Sequence, residues 1–148
     1  MTAAYFDSEA DKAGYDGSSA EYIVERGLVV DGIELELKGR VNDNLDVTFG
    51  YTSMEGKNGT KDAREIPETM YSMWANYEVN PKLGWAVGIM HQGESLIKDG
   101  GSQILPEYTR FDAAVYYMIS DDLSLRLHME NLTDCLLYTS PSPRDCQW

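Results

Sequence analysis

The sequence predicts an all-β protein, folded as an antiparallel up-and-down meander of about seven strands. Apolar and polar residues alternate strictly in six segments of the chain, which is the period of a β-strand with two different faces. The connections between these segments are alternately short and long, as in a meander whose tight turns all lie at one edge of the sheet. We find no segment with the periodicity of an amphipathic helix.

The first strand is predicted around residues 2–7, and the clearest alternation begins after Gly32. There, Ile33, Leu35 and Leu37 share one face, and charged residues occupy the other. Five further segments repeat the pattern, and none of their apolar rows contains a charged residue. The predicted strands after the first are residues 33–39, 45–53, 70–79, 83–92, 108–119 and 123–131.

The connections fall into two classes. Three are short and rich in Asn, Asp or Pro, as tight hairpin turns require: residues 41–44, 80–82 and 120–122. Three are longer, polar and contain Gly: residues 8–21, 56–67 and 96–106. One edge of the sheet is therefore predicted to carry short turns, and the opposite edge long loops.

Aromatic residues lie at both ends of the apolar rows. Tyr77, Trp85 and Tyr117 are next to the short turns, whereas Tyr51 and Tyr71 are near the long loops. Aromatic girdles around an apolar band, with short turns at one end, are typical of transmembrane β-barrels. A lipocalin-like barrel or a β-sandwich also alternates, and aromatics are common in strands, so these alternatives stay open at this point.

Composition disfavours several classes of protein. The 148 residues carry 12 Lys and Arg against 25 Asp and Glu, a formal net charge of −13. This charge repels phosphates and anionic headgroups, which disfavours nucleic-acid binding and a polybasic membrane anchor. Hydrophobic residues make up 43% of the chain, so wholesale disorder is not expected.

The longest apolar runs fall far short of the ~20 residues of a transmembrane helix. The N-terminus lacks the features of a signal peptide, which predicts either a cytosolic protein or a chain whose true beginning is missing.

Several segments resemble one known family. Residues 105–113 read Leu-Pro-Glu-Tyr-Thr-Arg-Phe-Asp-Ala, and residues 123–134 begin Leu-Ser-Leu and end Glu-Asn-Leu-Thr-Asp. They are similar to the Leu-Pro-x-Tyr-Thr-x-x-Asp-Ala and Leu-x-Leu…Asn-Leu-x-Asp strands of TonB-dependent outer-membrane receptors, the siderophore type in particular. Shorter similarities precede them in the same order: residues 32–36 match a Gly-x-Glu-x-Glu strand, and residues 67–77 a Pro…Ser-Leu-Trp-x-x-Tyr strand with Met73 in place of Leu. Together they resemble the C-terminal barrel region of that family.

The resemblance implies a bacterial outer-membrane protein. It implies a large transmembrane barrel of about 22 strands with a plug in its lumen, of which this chain would supply about the last third. The signal peptide, the plug, the N-terminal energy-coupling segment and the closing strand are expected outside this chain. The resemblance further implies active uptake of a ferric siderophore or similar chelate. The implied partners are outer-membrane lipid and, through the missing N-terminal part, the TonB energy-transducing complex; no cofactor is implied.

Candidate ligand-binding residues lie in the long loops, which in the family contribute to an extracellular ligand pocket together with the plug. Tyr15 and Tyr22 offer stacking surfaces, and Lys61, Arg64 and Lys98 offer positive charge, for an anionic ferric chelate. The alternative for each residue is an ordinary solvated loop side chain. Charged residues of the polar rows are expected to face the lumen: Glu34, Glu36, Lys38, Arg110, Asp112, Arg126 and Glu130.

Catalytic chemistry has little support in the sequence. His91 and His128 are the only histidines, and neither lies in a metal-ligand cluster or a nucleophile motif. Ser124 and His128 share a face but lie about 13 Å apart along a strand, too far for a nucleophile–base hydrogen bond. The acidic segment around Asp11 lacks the ligand spacing of a calcium loop. We therefore expect no enzyme, no catalytic residue and no metal site.

The last fourteen residues differ from the rest of the chain. They contain both cysteines, Cys135 and Cys146, and two of the five prolines. Residues 135–145 resemble the conceptual translation of a transposase sequencing adapter. We interpret residues 135–148 as a non-native tail, with a genuine Ser/Pro linker as the alternative. Family members end on an aromatic residue, but the prolines before Trp148 donate no ladder hydrogen bonds, so this segment is not a closing strand. Residues 1–134 are then a partial receptor barrel.

Two other functions remain as alternatives. A passive porin-like channel would lack the plug, and the sequence upstream of this chain would discriminate it from a receptor. A soluble lipocalin-like binding module would turn its polar face to water, and independence from detergent would reveal it.

Overall fold

A computed structural model describes residues 1–16 and 21–134. Over these residues the chain forms ten β-strands and no helix. The strands are β1 Thr2–Asp16, β2 Glu21–Asn42, β3 Leu45–Asn58, β4 Lys61–Asp62, β5 Thr69–Asn80, β6 Leu83–Gln92, β7 Ser95–Leu96, β8 Ile104–Leu105, β9 Tyr108–Ser120 and β10 Leu123–Met129. The tail, residues 135–148, lies outside the described residues, so its interpretation as non-native stays a prediction.

The predicted antiparallel meander is confirmed. The main sheet has the order β1-β2-β3-β5-β6-β9-β10, with each strand antiparallel to its neighbours, and β4 pairs with the end of β3. The small strands β7 and β8 form a separate antiparallel pair. Within the described residues, β1 and β10 each pair on one side only, so the sheet is open rather than closed into a small barrel.

One of the three regions predicted as long loops is extended, and this part of the prediction is wrong; residues 56–67 and 96–106 remain connections that contain only short strand segments. Residues 8–16 belong to β1 and β2 begins at Glu21, because the two strands stay in antiparallel register as far as Asp16↔Glu21, with one bulge between Ala10 and Lys12; residues 17–20 lie outside the described residues. Beyond an apolar band, both faces of a hairpin meet water. The backbone ladder then continues while the alternation that reveals a strand in the sequence disappears. Of the other predicted strands, β5, β6, β9 and β10 agree with the structure within two residues.

One face of the sheet is apolar and carries the two predicted rows of aromatics. The register pairs Tyr51 with Tyr71 near the long connections, and Tyr77 with Trp85 near the short turns. The Tyr77 and Trp85 rings lie 5.3 Å apart, and Tyr71 stacks on His91 at 4.6 Å. Because these contacts join neighbouring strands, the aromatics form continuous rows on both sides of an aliphatic band, as an interfacial girdle requires.

The sheet has no hydrophobic core of its own. Among the described residues, the buried hydrophobic side chains are Ala63, Ala86 and Ala114. No large side chain in this part of the chain is fully buried, and the apolar face is left uncovered. A soluble module would bury this face, so the fold does not support the lipocalin-like alternative.

The opposite, polar face carries aromatics that lie over glycines. Three register pairs join an aromatic residue to a glycine on the neighbouring strand: Phe6↔Gly32, Trp74↔Gly88 and Tyr116↔Gly84. A Cβ added at Gly88 would collide with the Trp74 ring, and one at Gly32 would come within 2.9 Å of the Phe6 ring. At Gly88 the absence of a side chain lets the Trp74 ring lie directly against the backbone, as in aromatic rescue of strand glycines.

Gly88→Ala is expected to destabilise the full-length receptor by roughly 1–3 kcal/mol, because the new methyl group collides with the Trp74 ring and displaces it from a packed position. Gly50→Ala is the matched control on the same face, since its Cβ would meet Ser72 Oγ at 3.4 Å, an ordinary contact. Urea unfolding of both variants in bilayers measures the difference. Equal midpoints for the two variants would show that Trp74 does not need the glycine.

Candidate functional site

Two long connections pack together above the sheet. We call residues 59–68 and 93–107 the loop cap. Ile66 lies over Gly56 of β3, where a Cβ would collide with it. Gly56 belongs to the polar face, because it has the same parity in β3 as Asp46 and Thr48. The loop cap therefore lies on the polar-face side of the sheet, beyond the aromatic row of Tyr51 and Tyr71.

Hydrogen bonds fasten the loop cap to the strands beneath it. The Ala63 NH donates to the Gly56 carbonyl at 2.9 Å, and the Gly93 NH donates to the Thr69 carbonyl at 2.8 Å. Ala63 and Ser95, one from each connection, are only 6% exposed. A cavity of about 320 Å³ lies between the connections and β3, with Glu55, Glu68 and Glu94 in its lining. The connections are thus packed segments rather than open coils.

Asp99 joins the two connections. Its Oδ1 accepts the Arg64 backbone NH and its Oδ2 accepts Asn58 Nδ2, both at 2.8 Å. The bond from the Arg64 NH is the main reason that the pKa of Asp99 is lowered below its usual value. Because the pKa is lowered, the carboxylate keeps these bonds at neutral and mildly acidic pH and loses them only as the pH falls through that lowered value.

Three of the five predicted ligand residues lie in the loop cap. Lys61, Arg64 and Lys98 are all exposed, and the docking of the two connections places them on one packed unit. The aliphatic stem of Lys61 passes Gly100, where a Cβ would come within 3.1 Å of it. Gly100 has a φ of +61°, so glycine is favoured there by both conformation and space.

The two predicted tyrosines lie elsewhere. Tyr15 and Tyr22 are register partners near the end of the β1–β2 hairpin, and their side chains lie outside the described residues. The structure therefore brings together three of the five candidates, and it places the two tyrosines on a different hairpin.

Another cation near the loop cap is already paired. Lys57 Nζ contacts the carboxylates of Asp62 and Glu55. Its hydrogen bonds to Asp62 and then to Glu55 are the main causes of a raised pKa. Lys57 thus holds β3 to β4, and it is less available for an anionic ligand than the exposed cations of the loop cap.

A second cluster, on the polar face, has no counterpart in the predicted site. The rings of Trp74 and His128 stack with centroids 6.2 Å apart, although β6 and β9 lie between their strands. They meet above small residues, and Ala114, the register partner of His128, is 1% exposed. Next to them, the Arg126 guanidinium lies 5.2 Å from the centre of the Tyr116 ring, within range of a cation–π interaction.

The two family-like motifs contact each other on this face. Asp112 accepts the Asn131 backbone NH at 2.9 Å and pairs with Arg110 at 2.8 Å. Asn131 has a φ of +54°, a conformation that Asn tolerates better than most residues. Asp112 therefore fixes the start of the turn after β10, which gives these motif residues a structural role.

Neither a metal centre nor a membrane-spanning helix is found in the described part of the chain. No group of three or more His, Cys, Asp or Glu side chains is placed to bind a metal ion there. No helix over the same residues is long and apolar enough to cross a bilayer.

Comparison with known proteins identifies the family. The model of the TonB-dependent receptor-like β-barrel matches residues 1–132. The chain is 26% identical over 158 residues to the probable TonB-dependent siderophore receptor PiuA of Acinetobacter baumannii, covering 94% of this chain and 21% of PiuA. It is 30% identical over 123 residues to the ferrioxamine receptor of Yersinia enterocolitica, covering 77% and 17% of the two chains.

A solved structure shows the same fold. The crystal structure of PiuA superposes with a TM-score of 0.72 at 23% identity, covering 90% of this chain and 22% of that one. The chain thus spans about a fifth of the length of the curated relatives it matches. In a transmembrane barrel the apolar face is expected to meet lipid and the polar face to line the lumen. This chain belongs to the TonB-dependent receptor β-barrel family.

Proposed function

We propose that this chain is part of the barrel of a receptor that takes up a ferric siderophore or similar chelate across the bacterial outer membrane. The observation that carries the proposal is the family match over residues 1–132, together with relatives that are named as siderophore receptors. The partners of the whole receptor are then outer-membrane lipid, the chelate and the TonB energy-transducing complex. The role is transport rather than catalysis.

The loop cap is the proposed ligand-facing region of this segment. Lys61, Arg64 and Lys98 are exposed on it, and a cation on a packed support loses less conformational freedom on binding than one on a mobile loop. Tyr15 and Tyr22 are proposed as stacking residues on the neighbouring hairpin. These side chains would bind an anionic chelate from the extracellular side, while the polar face below them lines its route.

Growth under iron limitation tests the proposal. We expect the full-length gene that contains this segment, expressed in a Gram-negative host without its own ferric-siderophore receptors, to restore growth on at least one of a panel of ferric siderophores. The growth should disappear when the host's TonB is deleted, because uptake against a gradient needs that energy source.

The passive channel gives a different result. A porin-like protein would admit small solutes equally with and without TonB, and it would not discriminate among chelates. Chelate uptake that is unchanged in the TonB-deficient host would contradict the receptor proposal and support the channel.

A further inference from the structure

The two connections of the loop cap are hydrogen-bonded to each other as well as to the sheet. The Glu65 NH donates to the Leu96 carbonyl at 2.8 Å, and the Gly100 NH donates to the Asp62 carbonyl at 2.9 Å. Asp99 adds its two bonds, to the Arg64 NH and to Asn58 Nδ2. Three of these hydrogen bonds join the two connections and the fourth joins Asp99 to the end of β3, and each closes over more than thirty residues of sequence.

We propose that the two connections of the loop cap move as a single body, and that Asp99 is the latch that joins them. Asp99 bonds to the backbone of one connection and to a side chain at the end of β3, so it fixes the β6–β9 connection against both. The proposal concerns a conformational device of the extracellular side, and it goes beyond the identity of the ligand.

The three exposed cations of the loop cap, Lys61, Arg64 and Lys98, lie close in sequence to the residues that the latch joins. Because Asp99 accepts the backbone NH of Arg64, the latch does not require the Arg64 guanidinium as a hydrogen-bond donor. Lys61 and Lys98 lie on the two sides of the latch and are also exposed. Joining the two connections therefore fixes the relative positions of these three cations, so that a ligand would meet them as one preorganised set.

A charge-exchange pair of variants tests the latch in the full-length receptor. Asp99→Asn removes the charged acceptor and places an amide NH₂ against Asn58 Nδ2, so that the bond forms again only if the Asn58 amide rotates, and Asn58→Asp places two carboxylates together. The double variant restores the contact, because the new carboxylate at position 58 can accept from the new amide at position 99, whose oxygen still accepts the Arg64 NH. Glu107→Gln is the control, since it neutralises an exposed carboxylate of the same connection.

Hydrogen exchange of the loop cap is the readout. We expect each single variant to raise exchange in residues 59–68 and 93–107 together, by roughly two- to tenfold, the range for loss of one hydrogen bond. The double variant should return both segments to the wild-type rate, and Glu107→Gln should leave both unchanged. Faster exchange in one connection only, or no recovery in the double variant, would overturn the proposal.

Cross-linking tests the motion itself, and this arm rests on the proposed transport function. A receptor with Cys at positions 65 and 96, one on each connection and joined by a backbone hydrogen bond, oxidised to a disulfide, should take up its chelate at the wild-type rate if the loop cap moves as one body. Loss of uptake on oxidation, with recovery on reduction, would mean that the connections must separate. If even the wild-type receptor shows no uptake, the proposed function fails while the exchange result still decides the latch.

Discussion

Residues 1–134, expressed without a signal sequence, are expected to form inclusion bodies and to disperse only in detergent or denaturant, with no ligand binding. The physical reason is the apolar face. Leu125, Leu127 and Ile119 are each more than half exposed, and the described residues contain no large buried side chain that could hold a core. The open edges of β1 and β10 add unpaired backbone groups, which favour aggregation.

Solubility and thermal unfolding measure this expectation. A soluble monomer normally exposes contiguous apolar patches of no more than a few hundred Å², and the net charge of −13 does not cover the apolar face. A monodisperse, detergent-free monomer of residues 1–134 with a cooperative thermal transition would refute the expectation, because it would require the apolar side chains to be buried within this chain.

Val115→Arg in the full-length receptor is expected to lower the free energy of unfolding in bilayers by roughly 2–4 kcal/mol. Val115 lies on the apolar face, six residues along β9 from the turn at Asp121, which places it within the aliphatic band above Tyr117. An arginine there either places its charge in hydrocarbon, which is energetically costly, or must extend its side chain to bring the guanidinium to the interface. Leu125 is only three residues from Asp122, near the girdle, so Leu125→Arg should cost less.

The control for this variant must lie on the polar face with open space around it. The sequence suggests Ala114, the neighbour of Val115, but Ala114 is 1% exposed beneath the Trp74 and His128 rings. An arginine at Ala114 would therefore overpack that site, so Ala114 is not a suitable control. Ser124→Arg and Ser72→Arg change exposed polar-face positions and should cost far less. Urea titration that ranked Ser72→Arg or Ser124→Arg above Val115→Arg would reverse the face assignment.

The sequence predicts only part of the candidate site. Lys61, Arg64 and Lys98 stand out as cations in polar segments, but their assembly depends on Asp99. In the sequence, Asp99 precedes two glycines, and Asn58 precedes one, so both residues indicate turns. Their bond closes across 41 residues, and no local pattern specifies a contact of that kind. The Trp74–His128 stack was missed for the same reason, because two strands intervene between the rings.

The alternation in the sequence is enough to predict the membrane-level part of each strand, the order of the strands and their two faces, because a strand between lipid and a polar lumen must alternate and short turns join neighbouring strands. The sequence also determined the family, through motifs such as residues 105–113. The extension of the β1–β2 and β2–β3 hairpins beyond the apolar band is visible in the structure alone, because there both faces can meet water and alternation no longer indicates a strand. The tertiary structure alone decided that the long connections dock into one cap through Asp99, since that contact depends on distant segments meeting in space.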